Sequence, residues 1–155
     1  MNITNLQRQM KFGATNFIWI AGLSLACSVL FLFTARPGFV VGLGITMFLD
    51  TITHNIAQAY PNSVLQVRLL GLLPDLFICG VFVLCGIFGA KGQRLAFIAG
   101  MSLYGLDAIL TLVARDFYGF GVHLFFLWFL LSGLKALDKL KKVMPESASP
   151  MIFPK

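Results

Sequence analysis

The chain has 155 residues, 58% of them hydrophobic and 12% charged, with a mean hydropathy of +0.86. A soluble domain is nearer half apolar and a quarter charged, and a chain of this size has too little interior to hide the excess. An ordinary soluble globule is therefore excluded, and the net charge of +6 points to orientation in a bilayer rather than to nucleic acid.

Residues 1–16 are polar, with Ile3, Leu6 and Met10 spaced for a short interfacial helix. Phe17–Ala35 is the first apolar run. It is too long for a signal-peptide core and lacks a clean A-x-A cleavage site, so it reads as an uncleaved span. Arg36-Pro37-Gly38 breaks it, because Pro and Gly punctuate helices. Phe39–Gln58 is the second run, and Tyr60 to Ser63 make a turn. Leu72–Ala90 is the third. Pro74 suits the first helical turn, and Asp75 beside it reads as a cap on the positive helix end. Leu95–Ala114 and Phe120–Leu137 are the fourth and fifth runs.

Each run has about 18–20 residues, the length that crosses a ~30 Å hydrocarbon core. The expectation is an all-α membrane bundle of five transmembrane helices over residues 17–137, or four if the half-polar second run does not cross. Residues 138–155 begin DKLKKVM and read as a basic amphipathic extension on the membrane surface, followed by a flexible tail. Cys27, Cys79 and Cys85 lie inside apolar runs without zinc or CxxC spacing, so they read as packing residues.

Five spans place Arg8, Lys11, Arg68 and Arg115 on one side. Arg36, Lys91, Arg94, Lys135, Lys139, Lys141, Lys142 and Lys155 fall on the other. Eight against four predicts a cytoplasmic C-terminus.

Two stretches resemble each other: FVVGLGITMFLD, Phe39–Asp50, and FIAGMSLYGLD, Phe97–Asp107. Loosely matched runs follow, LCGIFGA at Leu84–Ala90 and LSGLKAL at Leu131–Leu137. Helices two and three would then repeat as helices four and five in parallel orientation.

The polar residues fall into stripes. Gly42, Thr46, Asp50 and His54 recur every four residues, and Gly100, Tyr104, Asp107, Thr111 and Arg115 follow helical spacing too. An ionisable group facing lipid costs several kcal/mol, so both stripes should face the bundle interior. At 1.5 Å per residue, Asp50 and Asp107 lie ~18 Å from the same membrane face. His54 and His123 lie ~24 Å from it. One internal cluster of Asp50, His54, Tyr104, Asp107, Thr111 and His123 is expected, either as hydrogen-bonded glue between helices or as a functional site.

No HExxH, GxSxG or P-loop is present in the sequence, and no metal site is expected. The leading expectation is a non-enzymatic accessory or oligomer-forming membrane subunit, with the lipid bilayer and a homo-oligomer or larger membrane complex as partners. The alternative is an oligomeric proton- or solute-coupled transporter or channel. A third reading is b-type haem held between the two histidines.

The segments GLGIT, GMSLYGLDAIL and GVHLFFLWFLLSGLKAL resemble an uncharacterised family of small multi-spanning bacterial membrane proteins. The resemblance covers roughly residues 13–140, and its most specific part ends at Asp107 and continues to His123. It implies a bacterial inner-membrane protein and carries no activity.

Overall fold

The computed structural model describes residues 2–34 and 42–143. Five α-helices fill them: α1 (Ile3–Thr34), α2 (Gly44–Ala59), α3 (Val64–Ala90), α4 (Arg94–Val113) and α5 (Phe117–Val143). The connections α2–α3, α3–α4 and α4–α5 are short, as antiparallel neighbours require. A 3-10 turn, Pro61–Ser63, joins α2 to α3. The protein is a helical bundle, and no strand occurs among the described residues.

Helices α1, α3, α4 and α5 are long and apolar enough to cross a membrane. Helix α2 is not, because its 16 residues reach only ~24 Å against a ~30 Å core. The expected five spans are thus four spans and a half-length helix. Part of the expected second run, residues 39–41, lies outside the described residues, as does the Arg36-Pro37-Gly38 break. Gly42 and Leu43 are not helical.

Packing partners fix the directions. Lower denotes the end of the bundle where α1 starts. Gly13 of α1 meets Gly133 of α5, and Ser24 higher on α1 receives the N–H of Leu43. Leu32, near the top of α1, meets Arg68 at the start of α3. Helix α1 therefore rises, α3 descends, α4 rises and α5 descends. Helix α2 rises beside α1 from the middle of the bundle to the top. The hairpins α2–α3 and α4–α5 do run in the same sense, but they are not equivalent. Helix α2 begins mid-bundle with 16 residues, whereas α4 begins at the lower end with 20.

Helix α1 is the central helix, packed along both α3 and α5. A Cβ on Gly13 would lie 2.5 Å from Gly133 Cα, so two glycines permit the closest α1–α5 approach. The lower half is a buried apolar core that includes Phe17, Phe82, Phe97 and Leu130. Phe17 packs on Phe82 and Phe97 at centroid distances of 6.3 and 5.8 Å. The α3–α4 turn closes with left-handed Gly92 at φ 81°, and the α4–α5 turn with left-handed Arg115 at φ 61°. At the second turn, Asp116 N–H reaches Thr111 O and Arg115 N–H reaches Leu112 O, which ends α4 in a Schellman motif. Asp116 Oδ1 then accepts the N–H of Gly119 at 2.9 Å and caps α5.

Neither flanking segment is a separate surface helix. Helix α1 runs unbroken from Ile3, with Leu6 and Met10 buried. Helix α5 runs unbroken to Val143, with Leu137 and Leu140 buried in the same core. The apolar spacing expected to face lipid faces the partner helix instead, because α1 and α5 extend together past the membrane length. The tail beyond residue 143 lies outside the described residues. The described ends of the chain share the lower end, together with the α3–α4 turn. That end holds Arg8, Lys11, Lys91, Arg94, Lys135, Lys139, Lys141 and Lys142, and the upper end holds Arg68 and Arg115. The N-terminal segment thus joins the C-terminal side, which corrects the expected split. The reason is the number of crossings, four rather than five.

Candidate functional site

Helix α2 begins inside the bundle, where the first N–H groups of a helix need partners that water cannot supply. Leu43 occupies its N-cap and offers no capping side chain. The partners come from other helices. Leu43 N–H donates to Ser24 Oγ of α1 at 2.7 Å. Gly44 N–H donates to Asp107 Oδ2 and Ile45 N–H to Asp107 Oδ1, both at 2.8 Å. Asp107 of α4 therefore acts as the N-cap of a helix 62 and 63 residues distant in sequence. Its two carboxyl oxygens lie at the positive end of the α2 dipole. A Cβ on Gly44 would come within 2.6 Å of Thr111 Cγ2 and 3.4 Å of Asp107 Oδ1. Only glycine lets the helix start approach this closely.

His123 of α5 completes the arrangement. Its Nε2 lies 2.7 Å from Asp107 Oδ2, and its Nδ1 lies 2.7 Å from the carbonyl of Gly119. A carbonyl can only accept, so Nδ1 carries a hydrogen and donates. A single proton then lies between Nε2 and Oδ2. Tyr104 stacks on the imidazole at 4.6 Å between centroids and 20° between planes. His123 is 1% exposed and Asp107 6%. Thr111 donates its hydroxyl to Ala108 O, one turn from Asp107. Of the six expected residues, Asp107, His123 and Tyr104 come together here, with Thr111 one turn along α4.

Asp50 and His54 belong to a second cluster further up α2. His54 Nδ1 meets Arg68 at 3.1 Å, and its Nε2 meets Gln58 at 2.9 Å. The ring also packs edge-on against Phe31. Arg68 donates to Leu32 O at 3.2 Å, one of the last carbonyls of α1. Asp50 faces inward toward Ser28 of α1 and Asp75 of α3. The single expected cluster is two clusters because α2 starts at Asp107 and climbs away from it.

Asp75 is not a cap. Helix α3 starts at Val64 rather than Leu72, so Pro74 and Asp75 sit well inside it. Asp75 is wholly buried. Neither of its oxygens meets a partner in hydrogen-bond geometry, although Asp50 and Ser28 are adjacent. Ser24, Ser28, Arg68 and Asp75 are members that sequence reasoning missed. The signal was present: Ser24 and Ser28 lie four apart on α1, and Arg68 and Asp75 lie seven apart on α3.

The two histidines lie in different clusters, and both ring nitrogens of each are engaged. Their geometry does not fit a shared haem. Among the described residues, no group of three or more His, Cys, Asp or Glu could hold a metal ion. No disulfide joins Cys27, Cys79 and Cys85. An apolar cleft of about 450 Å³ opens between α3 and α4, lined by Phe77, Val81, Leu103 and Leu106 with Asp107 as its polar wall. Comparison with protein-family models, with curated proteins and with solved structures finds no match for this chain.

Proposed function

We propose that the chain is a non-enzymatic accessory or oligomer-forming subunit of the bacterial inner membrane, with both described ends on the cytoplasmic side. One observation carries the role: the Asp107–His123 pair spends its hydrogen-bonding capacity on α2, Gly119 and itself. It latches three helices and offers no free acid, base or nucleophile to a substrate. The orientation rests on eight basic residues at the lower end against two at the upper, among those described. The bacterial assignment rests on the family resemblance.

The mass of the detergent-solubilised particle tests the role. An oligomer, or a stoichiometric co-purifying membrane protein, is expected. A strict monomer with no partner overturns it. Fluorescent-protein fusions at each end should both fluoresce in the cytoplasm, and a dark fusion at either end overturns the orientation.

A second reading, an oligomeric proton- or solute-coupled transporter or channel, is favoured by one feature. A half-length helix that starts at mid-bundle beside polar groups is a recurrent element of transporter binding sites. Ion or solute flux in reconstituted vesicles separates the two readings.

A further inference from the structure

Every buried side-chain nitrogen or oxygen left without a hydrogen-bond partner among the described residues falls in one place. The atoms are Ser28 Oγ, Arg68 Nε and both carboxyl oxygens of Asp75. Elsewhere the buried polar groups are satisfied, as in folded proteins generally. Three helices converge at this point, bringing Ser28 from α1, Asp50 from α2 and Asp75 from α3. Ser28 is 1% exposed, Asp75 0% and Asp50 8%. We propose that Ser28, Asp50 and Asp75 form a binding site for a small hard monovalent cation, a proton or a sodium ion.

Chemistry narrows the ligand. Two carboxyls side by side in a low-dielectric interior cannot both stay charged unless a positive charge joins them. Arg68 borders the same cavity but pairs with neither carboxyl: its Nη1 donates to Leu32 O, its Nη2 meets His54, and its Nε has no partner. The donor set is all oxygen, which suits hard ions and disfavours copper or zinc. Two carboxyls and a hydroxyl are too few for calcium, which takes six to eight oxygens. A proton or a sodium ion between the carboxyls would engage the orphaned oxygens.

Access is from the upper end. A cavity with room for about one water molecule is lined by Ser28, Asp50, Thr53 and Arg68. Above it, His54 is half-buried and Gln58 exposed. Below, the aromatic core of Phe17, Phe82 and Phe97 is closed. The ionisable and charged groups around the site are Arg68 and Cys79 on α3 and His54 on α2. Helices α4 and α5 commit their own pair, Asp107 and His123, to the other cluster. The site stands whether the protein is an accessory subunit or a transporter, and its test does not depend on particle mass.

Thermal unfolding of the full-length protein in detergent provides the test, followed by a thiol-reactive dye at the buried cysteines Cys79 and Cys85. Sodium chloride is titrated at alkaline pH against choline chloride, and pH is titrated without sodium. Wild type should gain roughly 5 °C from saturating cation. A gain from acid alone identifies the proton. An added gain from sodium at alkaline pH, abolished by acid, identifies competition between the two ions. Asp75→Asn should remove most of the gain, and Ser28→Ala should reduce any sodium-dependent part. Wild type that responds to neither ion overturns the proposal, and so does Asp75→Asn that responds as wild type does. If Asp75→Asn does not fold, Asp50→Asn takes its place. The infrared carboxylic-acid band of wild type should then vanish at alkaline pH in sodium but persist in choline when sodium is the competing ion. A spectrum without that band at any pH, together with no sodium-dependent gain, overturns the proposal.

Discussion

At the start of α2, Asp107 and His123 use their hydrogen-bonding atoms on named partners. Further up the same helix, Asp50 faces an Asp75 whose two oxygens have none. Both clusters sit in the upper half of one bundle, and both place carboxyls away from water. The difference lies in what arrives opposite the carboxylate. Asp107 meets a helix N-terminus and an imidazole, which bring donors and positive charge. Asp75 meets another acid and a hydroxyl. Buried ionisable groups therefore do not share one meaning in this chain. The first cluster is closed and holds helices together, and the second leaves both Asp75 oxygens without a donor.

The largest expected effect breaks the closed cluster. Asp107→Leu strands two helix-terminal N–H groups and a buried imidazole, and removing one partner of a buried pair costs about 3–5 kcal/mol. Insertion should survive while the folded state weakens by that amount, as measured by denaturant unfolding in mixed micelles. Tolerance comparable to that of a surface substitution would show that α2 does not depend on Asp107.

A packing control comes next in size. Gly13→Val pushes a side chain into Gly133 Cα and should cost roughly 1–3 kcal/mol, the usual range for overpacking. It touches neither cluster, so its loss should add to that of Asp107→Leu. A non-additive double variant would mean that α1–α5 packing and the α2 latch are one unit.

The open cluster should answer with the opposite sign. Asp75→Asn removes an unsatisfied acid facing another acid. At alkaline pH without sodium it should be neutral or stabilising by up to ~1 kcal/mol. A loss as large as that of Asp107→Leu would remove the contrast between the clusters.

The smallest effect is at the lower end. Arg94 and Asp138 form an ion pair at 3.1 Å with both side chains well exposed. Asp138→Leu should change stability by at most ~0.5 kcal/mol, as exposed pairs do. The same unfolding assay reads it, and a larger change would assign that end a structural role.

Composition alone determined the lipid environment and the all-helical class, since 58% hydrophobic residues leave no soluble alternative and a lone apolar segment must satisfy its backbone internally. Helical spacing put Tyr104, Asp107 and Thr111 on one inward face, because period and cost of exposure are local properties, whereas His123 was placed beside them only by depth. Arg68 and Asp75 stand seven apart on α3, but Pro74 beside Asp75 looked like a helix start, so that shared face was missed. Tertiary structure decided the rest. It shortened the second run to a half-helix, because the cap that fixes where α2 starts is supplied by α4 and cannot be read in the segment itself. It divided one expected cluster into two, because the level at which α2 stands depends on that cap. It also brought both described chain ends to one side, because the parity of crossings follows from whether α2 spans. Periodicity assigns a face to each residue, whereas the partner on that face belongs to a helix that only folding brings near.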